Sequence, residues 1–151
     1  MFVMELVRIF KQNQILRNTT YILIGSILLI ISAKIKIPFY PVPMTMQTFV
    51  VLFLGILLGP LLGTATVILY LFEGLLGLPV FSNSPEKGVG LTYFTGPTMG
   101  YLIGFIFASY FAGSINNQDR YLKILIKLLF SVSIIYFLGL IWLGNLIGWD
   151  K

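Results

Sequence analysis

The chain has 151 residues, of which 58% are hydrophobic and 10% are charged, and its formal net charge is +5 with no histidine and no cysteine. A soluble domain of this length needs a more polar surface, so the composition indicates an integral membrane protein. The missing cysteine and histidine exclude disulfides and zinc–thiolate sites and argue against metal or triad catalysis, so we do not expect an enzyme. Basic residues flanking membrane spans explain the positive charge without a nucleic-acid partner.

The predicted elements form a single integral-membrane domain over residues 1–151. It begins with an amphipathic segment at residues 1–18, in which Arg8, Lys11 and Arg17 are interspersed with apolar residues. Apolar runs then predict five spans, at about residues 20–35, 46–58, 60–76, 96–113 and 121–146. The run from 46 to 76 is too long for one span, and Gly59-Pro60 near its middle predicts a break. We therefore expect an all-α membrane protein, a compact bundle of five transmembrane helices.

The basic residues favour a cytoplasmic N-terminus, because more of them then lie on the inner side. That side would hold Arg8, Lys11, Arg17, Arg120, Lys123 and Lys127, and the outer side Lys34, Lys36, Lys87 and Lys151. Whichever way the chain is inserted, the loop after the first span and the 77–95 loop are separated by a helical hairpin. We therefore expect these two loops to lie on the same face of the membrane.

Small residues recur at every fourth position of the fourth span, at Gly96, Gly100, Gly104, Ala108 and Ala112. In lipid such a pattern allows close helix packing, and a tight seam within the bundle is the simpler interpretation, with a docking surface for another membrane protein as the alternative. The only carboxylate inside an apolar span is that of Glu73. An interfacial or structural role and a role in proton relay or ligand contact both remain open for it.

Chemistry that uses nucleotides or metals directly is not expected. The sequence has no G-x-x-x-x-G-K-[ST] phosphate loop and no carboxylate cluster typical of a metal site. If this protein moves a solute against a gradient, the energy must come from a partner or a coupled ion.

Three segments on the shared face combine rigid backbone with neutral polar side chains. The first is residues 41–48, here called the tongue, which supplies Thr45, Gln47 and Thr48; the others are residues 74–83 and 93–101. Prolines fix the backbone there, and the turn before the fourth span places helix amides and a hydroxyl on the same face. Apolar walls with a few placed polar groups predict a small-molecule pocket, although the same hydroxyls and amides could simply cap helices.

Three runs in these segments, PVPMTMQTFVVLFLGILLGPLLG, LYLFEGLLGLPVFSN and LTYFTGPTMGYLIGF, strongly resemble the BioY family. The likeness covers roughly residues 38–113. It implies a compact bundle normally of six helices and biotin captured at the outer face of the cell membrane by a multi-pass protein. It also implies docking on a transmembrane coupling (T) protein with two ATPases. No covalently bound cofactor is implied, and ATP acts only through those ATPases.

The resemblance also implies the site residues. Asn83 and the turn Gly96-Pro97-Thr98 match pocket-lining positions, whereas Thr45, Gln47 and Thr48 match a first loop important for conformation. In this arrangement Asn83 and backbone amides serve the ureido ring of biotin. The apolar slot for the thiophane ring and chain is formed by Phe81, Tyr93 and Tyr101.

The sequence departs from the family in two places. In the family, the sixth helix usually opens with an aspartate and, three residues later, a lysine, and both are implicated in holding biotin. Here Asp150 and Lys151 are adjacent and belong to the preceding loop, so they are not assigned these roles. Either the sequence is truncated or the chain is unusually short. The family's small-residue motif in the first helix is poorly matched, since Gly25, Ser26, Ser32 and Ala33 lack a clean four-residue spacing.

Two alternatives to biotin capture stay open. One is a substrate-binding subunit for another vitamin, such as thiamin or riboflavin. The other is a structural or regulatory membrane subunit without a ligand.

Overall fold

The structure is a computed structural model that describes residue 4 and residues 13–149. Most of the amphipathic segment predicted at residues 1–18, together with Asp150 and Lys151, lies outside the described residues. The described elements are α1 (Gln14–Lys34), β1 (Lys36–Ile37), β2 (Met44–Thr45), α2 (Gln47–Leu75), α3 (Leu91–Phe94), α4 (Met99–Gly113) and α5 (Tyr121–Ile147). The expected all-α membrane bundle is confirmed. Helices α1 and α5 are each long and apolar enough to cross a membrane, α2 reaches that length only when it is counted across its kink at Gly59, and α4 is a shorter apolar helix.

Helix α1 begins at Gln14, six residues before the span predicted at about residue 20. Asn13 caps it, since the side-chain oxygen accepts a hydrogen bond from the Leu16 amide at 3.3 Å. The small residues named above lie on its buried face, where a Cβ added at Gly25 would come within 2.6 Å of the Thr66 side chain. This close approach packs α1 against the second half of α2.

Helix α2 is a hairpin of two arms, residues 47–58 and 60–75, that reverses direction at Gly59. Gly59 has φ 81° and ψ 174°, a conformation that glycine adopts readily, and Pro60 follows it. The side chains of Gln47 and Tyr70, 23 residues apart, are hydrogen-bonded at 2.6 Å, whereas a straight helix would separate them by about 35 Å. The two arms therefore run antiparallel, and Gly55 and Gly63 allow them to touch.

Helix α4 lies between α2 and α5, and its small residues face both neighbours. A Cβ added at Gly100 would lie 2.4 Å from the Leu138 carbonyl oxygen, and one at Gly104 would lie 2.7 Å from the Ile135 Cα, so these glycines set the contact with α5. Ala108 and Ala112 are fully buried. The four-residue repeat is thus used inside the bundle as a helix seam.

The segment before α4 is not helical at residues 96–98. The short helix α3 ends at Phe94, and the chain turns through Gly96 and Pro97 before α4 begins at Met99. The residue before a proline avoids the helical conformation, which is consistent with the absence of helix at Gly96. This turn brings Thr98 to the mouth of the bundle, beside the tongue.

Candidate functional site

A cavity of about 490 Å³ lies at the end of the bundle that carries the tongue and the 77–95 loop. Its volume falls in the range of small-molecule sites. It is lined by Val42, Pro43, Met44, Thr45, Met46, Gln47, Thr48, Phe49, Leu52, Phe81, Ser82, Tyr93, Thr98, Tyr101, Leu102, Phe105, Ile135 and Tyr136. The lining is mostly apolar and aromatic, with hydroxyl and amide groups and, among the described residues, no charged side chain.

The tongue is held to the end of α1 by a short antiparallel ladder. Strand β2 pairs with β1, Lys36 opposite Thr45 and Ile37 opposite Met44, and the Met46 amide donates to the Ile35 carbonyl oxygen at 3.1 Å. Backbone hydrogen bonds of this kind fix the tongue's direction over the cavity.

A buried chain of hydrogen bonds joins the tongue to the opposite wall. The Gln47 side-chain amide donates to the Tyr70 hydroxyl at 2.6 Å, and that hydroxyl donates to the Val80 carbonyl oxygen at 3.2 Å. All three residues are buried, and a buried donor without a partner is costly, so the contacts favour one relative position of the two loops.

Phe81 is the centre of the aromatic wall. Its ring stacks on Tyr93 with centroids 4.6 Å apart and meets Tyr70 and Phe94 edge-on at 5.4 Å. The ring also fills the space that a side chain at Gly74 would occupy. These contacts hold the ring rigidly and leave one side of it at the cavity.

The polar groups of the lining differ in whether their donors and acceptors already have partners within the protein. Gln47 is engaged on both sides, because its carboxamide oxygen also accepts from Thr45 at 3.3 Å. Ser82 and Tyr93 share a hydrogen bond between their hydroxyls at 3.3 Å. Within the part of the chain that the structure describes, the hydroxyls of Thr98 and Tyr101 have no protein partner and are available to a ligand. Thr98 is only 9% exposed, so its hydroxyl is sheltered from bulk solvent.

Most of the residues that the sequence singled out line this cavity: Thr45, Gln47, Thr48, Phe81, Tyr93, Thr98 and Tyr101. Three do not. The side-chain oxygen of Asn83 accepts from the Lys36 ammonium at 3.0 Å, on the side of its loop away from the cavity. Gly96 accepts from the Trp142 indole at 2.9 Å through its carbonyl oxygen, and Pro97 lies beside it in the same turn.

The cavity-lining residues of α5, and the apolar ones of α2 and α4, were not expected from the sequence. Ile135 and Tyr136 line the cavity from α5, Leu52 from α2 and Phe105 from α4. Tyr101 reaches the cavity because Gly139 leaves room for its ring. The apolar side chains of these helices have no distinguishing signal in one sequence, since lipid-facing and cavity-facing residues are of the same types.

Two other features do not form part of this site. A more open hollow of about 730 Å³ at residues 115–119 and Lys123 has polar walls without aromatic side chains. Glu73, which is half-buried, accepts a short hydrogen bond from the Ser26 hydroxyl of α1 and does not line the cavity. Among the described residues, no group of three His, Cys, Asp or Glu side chains could hold a metal ion.

Comparison with known proteins places this site in context. Residues 5–151 match the model of the BioY family. The chain is 38% identical over 121 residues to the probable biotin transporter BioY of Pyrococcus horikoshii, covering 80% of this chain and 70% of that protein. It is 33% identical over 142 residues to the biotin transporter BioY of Lactococcus lactis subsp. cremoris, covering 87% and 74%.

A solved structure shares the fold. The crystal structure of the S-component for biotin from an ECF-type ABC transporter superposes with a TM-score of 0.74 at 33% identity, covering 89% of this chain and 76% of that one.

Proposed function

The chain belongs to the BioY family, and we propose that it is a biotin-binding S-component of an ECF-type transporter that captures biotin in the cavity under the tongue. Its relatives are named biotin transporters, and the similar solved structure is a biotin S-component. The observation that carries the proposal is the cavity itself, which is of ligand size and is walled by the three segments that resemble the family's motifs.

The chemistry of the lining suits biotin. The thiophane ring and the aliphatic chain are apolar and would lie against Phe81 and Tyr101, while the ureido group needs donors and acceptors. The hydroxyls of Thr98 and Tyr101, which have no partner among the described residues, supply both roles, since a hydroxyl donates one hydrogen bond and accepts others. Asn83, whose side chain contacts Lys36, would reach the ligand only after a change of partner.

Calorimetry on the protein in lipid nanodiscs tests the ligand. We expect saturable binding of biotin and no heat from thiamin or riboflavin. Saturable binding of thiamin or riboflavin instead would assign the cavity to another vitamin. If none of the three binds, the chain is better explained as a structural membrane subunit.

We further propose that uptake depends on a transmembrane coupling protein and two ATPases, with this chain in the cell membrane and the cavity facing outward. The chain has no phosphate loop of its own, so ATP hydrolysis must be supplied by partners. Proteoliposomes that contain this chain with its co-purified partners should accumulate biotin only with ATP. Concentrative, ATP-independent uptake by the chain alone would contradict this division of labour.

A further inference from the structure

Two lysines bind the same four-residue turn, residues 81–84: Lys34, the last residue of α1, and Lys36, the first residue of β1. The Lys34 ammonium donates to the carbonyl oxygens of Phe81 and Ser84 at 2.8 and 2.9 Å. The Lys36 ammonium donates to the Ser82 carbonyl oxygen at 2.7 Å and to the Asn83 side-chain oxygen at 3.0 Å. Lys36 also forms an ion pair with the exposed Glu86 at 3.7 Å, which adds little to the binding of the turn.

The oxygen atoms that receive these bonds are sheltered and need partners. The residues of the turn are 1, 6, 9 and 4% exposed, in the order Phe81, Ser82, Asn83 and Ser84. Within the described residues, Lys36 is the hydrogen-bond partner of both the Ser82 carbonyl oxygen and the Asn83 side-chain oxygen. The Phe81 carbonyl oxygen also accepts from the amide and hydroxyl of Ser84. Loss of Lys36 therefore strands more acceptors than loss of Lys34.

The opposite side of this turn forms the cavity wall. The ring of Phe81 and the side chain of Ser82 line the cavity, and the Ser82 hydroxyl meets that of Tyr93. The two lysines thus bind the turn on the side opposite the cavity, and neither lines the cavity. Their hydrogen bonds fix the backbone that carries Phe81 and Ser82, and so fix the position of the aromatic wall.

The same short segment also carries the tongue. Lys36 pairs with Thr45 in the ladder between β1 and β2, and the Ile35 carbonyl oxygen accepts from the Met46 amide. Residues 34–37 therefore bind both walls of the cavity at once, the tongue through the backbone and the 81–84 turn through two ammonium groups.

We propose that Lys36, assisted by Lys34, is a positioning residue that sets the tongue and the 81–84 turn in fixed register, so that the cavity is formed before biotin arrives. This inference rests on the proposed function for the identity of the ligand. A preformed site spares the ligand the cost of ordering two loops, so loss of the ammonium should weaken binding although it touches no ligand atom.

The binding test compares four variants by calorimetry with biotin. Lys36→Met keeps the length of the side chain and should raise the dissociation constant about tenfold or more, as expected for lost hydrogen bonds to a charged group. Lys34→Met should have a smaller effect, and Lys36→Arg should restore most of the affinity. Lys87→Met is the matched control, because Lys87 is exposed on the same loop and its ammonium contacts neither wall in the described structure. Equal affinities for wild type and Lys36→Met would overturn the proposal.

A second measurement needs no ligand. In hydrogen–deuterium exchange, Lys36→Met should speed exchange of the Ser84, Lys87 and Met46 amides while leaving α4 and α5 protected. Faster exchange throughout the bundle would indicate general destabilisation and contradict a positioning role. If wild-type protein binds no biotin, the proposed function fails, and the exchange experiment still decides whether Lys36 couples the two loops.

Discussion

Among the polar groups of the cavity, the Thr98 hydroxyl is the one whose removal should lower ligand affinity most directly. It is almost buried, and within the described residues it is not committed to another protein group. Thr98→Val keeps the shape and removes the hydroxyl, so biotin affinity should fall about fivefold to tenfold, the effect of one hydrogen bond.

Calorimetry measures that loss, with Thr95→Val as control. Thr95 belongs to the same segment and is exposed, and its hydroxyl donates to the Thr92 carbonyl oxygen at 2.8 Å, so its substitution should leave affinity unchanged. If the two valine variants bind biotin equally well, Thr98 does not contact the ligand.

Tyr70 should matter for stability because its hydroxyl is the middle of the buried chain from Gln47 to Val80. Tyr70→Phe removes that hydroxyl and leaves the Gln47 amide without its acceptor, so we expect a loss of about 1 to 3 kcal/mol in the free energy of unfolding. Thermal unfolding in detergent measures it. Tyr110→Phe serves as the control, since Tyr110 is 49% exposed on α4; equal unfolding temperatures for both variants would contradict the prediction.

At the scale of elements, the close contact between α4 and α5 leaves no room for larger side chains at the glycines of α4. A Cβ at Gly104 would lie 2.7 Å from the Ile135 Cα, and the obstacle is backbone that cannot move aside without separating the helices. Gly104→Ala should therefore destabilise the protein by about 1 to 3 kcal/mol. Phe107→Ala on the exposed side of α4 should cost less, because Phe107 is 47% exposed. Thermal unfolding of the two variants, measured side by side, shows whether Gly104→Ala is the more destabilising substitution.

The turn between α4 and α5 is fastened by Asp119. Its carboxylate accepts from Lys123 at 2.6 Å, from Lys127 at 2.7 Å and from the Asn116 amide at 3.2 Å. The Lys123 and Lys127 ammonium groups, in that order, hold the pKa of Asp119 well below its usual value of 3.8. The charged form is thus favoured more in the folded protein than in the unfolded chain.

This arrangement predicts an acid-dependent stability. Because the folded pKa is depressed, Asp119 stabilises the fold at pH values above its unfolded pKa, and the contribution is lost as the pH falls from about 4 toward the folded pKa. The unfolding temperature of the wild type should approach that of Asp119→Asn over this window and exceed it at neutral pH. A difference between the two proteins that does not shrink on acidification would contradict the assignment.

At the scale of the whole molecule, the fold was largely predictable and the site only partly. Composition and the apolar runs predict an all-α membrane bundle, and Gly59-Pro60 marks the reversal in α2, because these signals are local. The roles of Lys34, Lys36 and Trp142 depend on partners 46 to 50 residues away. Nothing in the type of these residues distinguishes a lysine that holds a loop from one at a membrane boundary.

The orientation of the bundle gives the last prediction. The tongue and the 77–95 loop lie at one end, and residues 115–120 lie at the other, beside Lys123 and Lys127. The described basic residues at the tongue end are Lys34, Lys36 and Lys87, whereas Arg17, Arg120, Lys123 and Lys127 lie near the other end. Because the side with more basic residues stays in the cytoplasm, we expect the other end there and the cavity outside.

Single cysteines can test this cleanly, because the chain contains none of its own. Glu86→Cys and Asn117→Cys place a thiol at exposed positions on opposite ends. In intact cells a membrane-impermeant maleimide should label the Glu86→Cys protein and should label the Asn117→Cys protein only after the cells are opened. The reverse pattern would put the cavity on the cytoplasmic side, where a capture subunit for uptake could not meet its substrate.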